Sequence, residues 1–281
     1  MGSSAPEMMI AATASLEGNA NTAIGNAIGS NITNIALVLG ITALMQPLTV
    51  SSSTVKKELP IVLGITLIAY WMLADLHLSF VEGVILMTGF FVYIIGLLMI
   101  TLYRVKQRPM DDALIIEAEQ EVPEATSTPL AVMWLAIGIV VLPLSADYLV
   151  DSSVFIAREF GISDLVIGLT VIAIGTSLPE LAASIMSIVK KEDDLAIGNI
   201  IGSNIFNILA VLALPGIIAP GVIDTAAAER DAPYMLGVTV LLLILCFTRK
   251  FGNFRITRAK GALLIVAFIA YQLLLFSQLK G

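Results

Sequence analysis

Apolar runs long enough to cross a bilayer follow one another along almost the whole chain, parted only by short polar breaks. A hydrocarbon core of about 30 Å takes roughly 20 apolar residues per helix. Water is absent at that depth, so runs of this kind must satisfy their backbone internally, as helices. Spans are expected near 3–17, 23–46, 60–76, 82–103, 129–149, 162–189, 195–219, 233–248 and 259–277. The chain has 281 residues, 58% of them hydrophobic and 13% charged, with a mean hydropathy of +0.95. No segment is left over for a soluble domain, and the fold class is an all-α polytopic membrane protein.

The single long polar break, 104–128, holds Asp111, Asp112, Glu117, Glu119, Glu121 and Glu124 together with prolines. It reads as a flexible acidic linker that divides the chain into halves 1–103 and 129–281. The formal net charge of −7 comes from acids that fall mainly in loops, where solvation accounts for them. Cys246 is the only cysteine and lies in an apolar run, which excludes a disulfide framework and a thiolate metal site. His77, the single histidine, falls in a polar break and reads as a solvated loop residue. No enzyme activity, cofactor or nucleic-acid partner is expected.

Within the apolar runs the chain repeats itself. Gly2-Ser-Ser-Ala-Pro-Glu7 aligns with Gly175-Thr-Ser-Leu-Pro-Glu180 at an offset of 173. The alignment continues without a gap through Ala23-Ile-Gly-Asn-Ala-Ile-Gly-Ser-Asn-Ile-Thr-Asn34 and Ala196-Ile-Gly-Asn-Ile-Ile-Gly-Ser-Asn-Ile-Phe-Asn207. Of the 38 aligned positions from Gly2 to Leu39, 17 are identical, and they include Pro, Glu, Asn and Ser, which are costly in a bilayer. A common origin and a common chemical task follow.

Basic residues orient the copies. Lys56, Lys57, Arg104, Lys106, Arg108, Lys190, Lys191, Arg249, Lys250, Arg255, Arg258 and Lys260 fall in alternate loops and make up 12 of the 15 basic residues; Arg158, Arg230 and Lys280 fall in the others. Positive charge collects on the cytoplasmic side. The linker is therefore expected to be cytoplasmic and the C-terminus extracytoplasmic. The turn inside the first copy then lies outside and the turn inside the second lies inside, so the copies are inverted, with a site expected between them near the midplane. In the second half about 45 residues of apolar sequence precede the motif, whereas only Met1 precedes it in the first, so a missing N-terminal segment is expected.

Glu7 and Glu180 carry the strongest functional signal, since an acidic side chain in a membrane helix costs at least about 2.5–3.5 kcal/mol. With the basic residues placed in loops, cations, protons or hydrogen-bond donors are left to neutralise them. Pro6 and Pro179 remove a helical hydrogen bond and free the carbonyls near Gly2 and Gly175. Ser3, Ser4, Thr176 and Ser177 lie three or four residues before each glutamate and share its face. Asn26, Ser30 and Asn34, and likewise Asn199, Ser203 and Asn207, form a polar stripe at i, i+4 and i+8. Gly25 and Gly29, and Gly198 and Gly202, give small-xxx-small patterns for close helix contact. The set is one of oxygens, suited to Ca²⁺, Na⁺ or protons rather than to zinc or copper.

These motifs resemble the alpha repeats of the cation/calcium exchanger superfamily, above all the prokaryotic sodium/calcium exchangers of ten helices, over nearly the whole chain. The resemblance implies an inverted repeat of two five-helix halves, about eight and a half helices of it present here. It implies a multi-pass protein of the plasma (inner) membrane, acting as a monomer in the lipid bilayer and exchanging Ca²⁺ for Na⁺ at the two glutamates. Implied ligands are Glu7, Glu180, Ser3, Ser4, Ser30, Asn34, Thr176, Ser177, Ser203 and Asn207, with the carbonyl of Ala173. Asn207 stands where many relatives have Asp, which speaks against potassium co-transport. Proton-coupled exchange and a non-transporting remnant that only binds ions are the alternatives.

Overall fold

A computed structural model describes residues 4–107, 159–247, 249–250 and 253–278, with isolated positions between 129 and 156. From residue 108 the expected linker, and most of the span expected at 129–149, lie outside the described residues. Helix α1 covers Ala5–Leu16. Helix α2 (Ala20–Ile32) runs through a wider π-helical turn, Thr33–Val38, into α3 (Leu39–Met45). Helices α4 (Leu59–Leu73) and α5 (Phe80–Gln107) complete the first half. In the second half α6 (Asp164–Ile167) passes through a π turn into α7 (Ala173–Thr176), and α8 (Leu178–Val189) follows. Then come α9 (Asp193–Phe206), a π turn at Asn207–Val211, α10 (Ala213–Ile218), α11 (Ala232–Phe247) and α12 (Arg258–Gln278). Among the described residues, six helical stretches are long and apolar enough to cross a membrane: Ala20–Met45, Phe80–Ile100, Asp164–Val189, Asp193–Ile218, Ala227–Phe247 and Arg258–Ser277.

The repeat is carried by the backbone as well as the sequence. Shifting α1 by 173 residues gives the bounds of α8, and shifting the start of α2 gives that of α9. The same shift carries the π turn Thr54–Glu58 onto Ala227–Asp231 and Leu59, where α4 begins, onto Ala232, where α11 begins. Identity thins there but persists at Pro60, Leu63, Gly64 and Thr66, which match Pro233, Leu236, Gly237 and Thr239. An extra backbone residue in a helical turn changes the direction of everything after it, so the fold keeps it where the side chains drift.

Backbone proximity fixes how the helices meet. A Cβ on Gly25 would lie 2.5 Å from the Leu165 carbonyl oxygen, one on Gly29 2.7 Å from the Ala173 Cβ, and one on Gly168 2.3 Å from the Thr22 carbonyl oxygen. Only hydrogen fits there, so α2 lies directly on α6 and α7. Gly198 and Gly202 meet nothing within 4 Å among the described residues; with Asn199, Glu58, Phe90 and Phe206 they line a cavity of about 300 Å³.

The first turns of α9 and α2 are each tied across the repeats. Asp194 Oδ1, at the start of α9, accepts from Ser51 N at 3.2 Å. Its counterpart, Asn21 Oδ1 at the start of α2, accepts from Asp224 N at 3.0 Å. Asp193 adds bonds from Thr49 N at 2.9 Å and Gln46 Nε2 at 3.4 Å. Among the described residues, five short strands accompany these ties. Strand β1 (Leu48–Val50) pairs antiparallel with β5 (Asn253–Ile256), Leu48 opposite Ile256, and β5 pairs with β4 (Arg249–Lys250). Strand β2 (His77–Leu78) pairs with β3 (Gly221–Val222).

Gly168→Ala is expected to lower the melting temperature of the detergent-purified protein, because overpacking against backbone costs about 1–3 kcal/mol. Gly64→Ala, where a Cβ meets nothing within 4 Å, is expected to leave it unchanged or raise it slightly.

Candidate cation site

The polypeptide restarts as a helix at each proline. Pro6 and Pro179 occupy the first turns of α1 and α8, where a missing N–H costs nothing, and each is followed by its glutamate in that same turn. Negative charge is favoured at helix N-termini, so both carboxylates begin with support from the backbone dipoles. The break before α8 is confined to Ser177, a sharper interruption than an unwound segment. Ser4 and Ser177 are the N-cap residues, yet neither caps with its side chain. A serine at that position ordinarily bonds the first backbone N–H groups; Ser4 spends its hydroxyl across the repeat boundary instead.

Ser4 Oγ donates to Glu180 Oε1 at 3.2 Å and lies 3.1 Å from Ser203 Oγ, which itself donates to Glu180 Oε1 at 3.2 Å. The opposite crossing is made by Thr176. Its hydroxyl lies 3.3 Å from Ser30 Oγ, 3.4 Å from Asn26 Oδ1 and 3.4 Å from the Ala173 carbonyl oxygen. Ser30 Oγ also donates to Asn26 Oδ1, and Asn26 Nδ2 donates to the backbone carbonyl of Glu7, both at 3.3 Å. Glu7 and Glu180 are fully buried and stand within each other's electrostatic reach.

Both Glu7 carboxylate oxygens lack a hydrogen-bond partner of good geometry, although the Thr176 hydroxyl stands close enough to act on the group. The amide atoms of Asn34 and Asn207 and the hydroxyl of Ser177 are buried and equally without a donor or acceptor among the described residues. The Ala173 carbonyl is engaged twice, by Ser177 N at 3.2 Å and by Thr176. Ser3 lies outside the described residues. Among the described residues no group of three His, Cys, Asp or Glu converges. A cation between the glutamates would therefore draw on hydroxyl and amide oxygens, the donor set of a hard ion.

Two features go beyond the sequence-based expectation. Asn26 is the hub of the Thr176 crossing; its place in the i, i+4, i+8 stripe was the available signal. Arg230 stands not in a loop but in the π turn that opens the Ala227–Phe247 stretch. Its guanidinium holds the two oxygens of buried Asp231 at 2.7 and 2.9 Å, and Tyr271 Oη donates to Asp231 Oδ1 at 2.9 Å. Among the described residues, the groups that act electrostatically on Glu7 include no basic residue.

The sequence profile described as "Sodium/calcium exchanger protein" matches residues 1–99 and 130–277, nearly the whole chain. The chain belongs to this exchanger family. Among its relatives, the CaxA protein of Alkalimonas amylolytica is 52% identical over 278 residues, 99% of this chain and 85% of that one. Inner membrane protein YrbG of Escherichia coli is 42% identical over 277 residues, 98% of this chain and 83% of that one. The sodium-calcium exchanger NCX_Mj, solved after soaking with 10 mM Na⁺ and 10 mM Sr²⁺, superposes with a TM-score of 0.67 at 28% identity, covering 96% of this chain and 82% of that one. This exchanger-family chain is thus a multi-pass ion antiporter with an all-α membrane fold.

Thr176→Val keeps the shape and removes the hydroxyl that joins Ser30, Asn26 and Ala173. A loss of about 1–2 kcal/mol is expected in detergent unfolding, with Thr176→Ser recovering most of it. Equal destabilisation by the serine variant would show that packing, not the hydroxyl, matters at this position.

Proposed function

We propose that the chain extrudes Ca²⁺ in exchange for Na⁺ by alternating access, with Glu7 and Glu180 holding one Ca²⁺ or the competing Na⁺ ions. The observation that carries this reading is the pair of fully buried carboxylates within electrostatic reach of each other, one from each inverted copy. Two negative charges balance one divalent cation, and the same charges with neutral oxygens accept monovalent ions in its place. Because one set of oxygens serves both, occupancy by one ion excludes the other, and that exclusion couples the two fluxes. Ser4, Ser203, Ser30 and Thr176 complete the shell, with Asn34, Asn207, Ser177, Ser3 and the Ala173 carbonyl as further ligands. Two likenesses point the same way by name: NCX_Mj is called a sodium-calcium exchanger and MaX1 of Methanosarcina acetivorans a sodium/calcium exchanger.

In this reading the chain is a transporter without a catalytic step or resident cofactor, working as a monomer in the plasma (inner) membrane. Its halves 1–103 and 129–281 flank a cytoplasmic linker, and its C-terminus is extracytoplasmic. The inverted ties at Asp194 and Asn21 support opposed halves, and the loop placement of Lys and Arg supports the orientation.

A second reading has an observation of its own. Glu7 and Glu180 act on each other electrostatically with both side chains buried, and protons, too, relieve such repulsion, which would make the coupling ion H⁺. Proteoliposomes separate the two. An outward Na⁺ gradient is expected to drive ⁴⁵Ca²⁺ uptake that a pH gradient alone does not, with Glu7→Gln and Glu180→Gln each abolishing it. Uptake indifferent to Na⁺ but driven by a pH gradient would select proton coupling. Uptake unchanged in either glutamine variant would overturn both readings.

A further inference from the structure

The closing helices of the two halves repeat as well, at a different offset. Counted from Phe80 and Arg258, where α5 and α12 begin, Gly83, Leu86, Phe90, Tyr93 and Leu97 match Gly261, Leu264, Phe268, Tyr271 and Leu275 at an offset of 178. The shared glycines make the same crossing. A Cβ on Gly83 would lie 2.8 Å from the Gly216 carbonyl carbon, and one on Gly261 2.9 Å from the Cβ of Ala43, the mate of Gly216. In the π turns that precede α4 and α11, Lys57-Glu58 matches Arg230-Asp231 at the offset of 173. Each half therefore has one acid in a π turn and one tyrosine on its closing helix.

The two acid–tyrosine pairs stand differently. Tyr271 Oη donates to Asp231 Oδ1 at 2.9 Å, both side chains are fully buried, and the Arg230 guanidinium braces the carboxylate at 2.7 and 2.9 Å. Glu58 and Tyr93 are half-buried and line one cavity of about 300 Å³ with Gly198 and Asn199. Glu58 acts electrostatically on Tyr93, yet the two share no hydrogen bond; Glu58 Oε2 accepts from Thr54 Oγ1 at 3.4 Å instead. Among the described residues Glu58 has no basic brace, and Lys57, the mate of Arg230, is exposed. Each pair straddles a bent site helix. Helix α12 packs on α3 and on the π turn Thr33–Val38 while α11 packs on α2, so the Asp231–Tyr271 bond joins elements seated on both arms of one bend. Helix α5 packs on α10 and on the π turn Asn207–Val211 while α4 packs on α9, so Glu58 and Tyr93 flank the other bend. A π turn is where a helix changes direction, and these two carry Asn34 and Asn207.

Resting on the alternating-access reading above, we propose that each acid–tyrosine pair is a clamp across the bend of a site helix, and that shutting one clamp opens the other. Asp231–Tyr271 is shut and holds the turn of Asn34; Glu58–Tyr93 is open beside the turn of Asn207. The tyrosines and their acids are positioning residues, acting on the ion site through the two asparagines. A hydrogen bond to a carboxylate is stronger than one between neutral groups, so a single hydroxyl suffices to bias two conformations.

Labelling of a Gly198→Cys thiol by a water-soluble maleimide tests this in the detergent-purified chain carrying Cys246→Ala. Gly198 lines the Glu58–Tyr93 cavity, and a Cβ there meets nothing within 4 Å among the described residues, so shutting that clamp covers the thiol. Tyr271→Phe releases the shut clamp and is expected to slow labelling about fivefold, the weight of one good hydrogen bond. Asp231→Asn, which keeps the side chain's size and weakens the same bond, is expected to slow it in the same direction. Tyr93→Phe, which leaves the open clamp open, is expected to label no more slowly than the parent, and Tyr93→Phe with Tyr271→Phe to recover to within about twofold of it. An unchanged rate in both Tyr271→Phe and Asp231→Asn, or a double variant as slow as Tyr271→Phe alone, would overturn the clamps. Labelling needs no ion gradient, so Na⁺-driven ⁴⁵Ca²⁺ flux by the same preparation judges the exchange reading separately: the expected labelling pattern without flux would uphold the clamps and defeat exchange.

Discussion

A carboxylate at membrane depth loses its hydration, and repaying that loss requires polar groups delivered to it through an apolar fold. This chain brings two together, Glu7 and Glu180, both fully buried and close enough to act on each other. Neither copy surrounds its own glutamate unaided. Ser4 of the first copy donates to Glu180 of the second, while Thr176 of the second stands with Ser30 and Asn26 of the first. The close seating of α2 on α6 and α7, through Gly25, Gly29 and Gly168, makes the second crossing possible. Bulk at those glycines would part the hydroxyl from the amide before it touched either carboxylate.

Inversion supplies the remaining constraint. Two copies facing opposite ways share one site only if their long helices stay in register, and the pairs Asp194–Ser51 and Asn21–Asp224 fix that register at both ends. The ties are equivalent in place but unequal in chemistry, two aspartates at one end against an asparagine at the other. The duplication built a symmetric frame, and the side chains within it have since diverged by face.

Much of this was legible in the sequence because membrane depth makes polar residues informative. The spans, the offset of 173 and the Pro-Glu and Gly-Ser-Asn motifs needed only counting. The gathering of Ser4, Ser30, Thr176, Ser203 and both glutamates follows from helix periodicity and inversion. Other features left no signal. The β strands run two to four residues, too short for alternation to register, and a π turn is a backbone event with no residue of its own. Arg230 was read as a loop residue because charge within a span is rare, yet buried Asp231 at the next position compensates it. Asn31 and Asn204, the third residues of the Gly-Ser-Asn motifs, are buried with amide oxygens lacking partners among the described residues.

The central claim is that two inverted copies form one shared site rather than two separate ones. Calorimetric titration of Ca²⁺ into the purified chain in Na⁺-free buffer tests it most directly. The account predicts one ion per chain, with binding lost entirely in Glu7→Gln and equally in Glu180→Gln. Two ions per chain, or half the binding surviving in each variant, would contradict it.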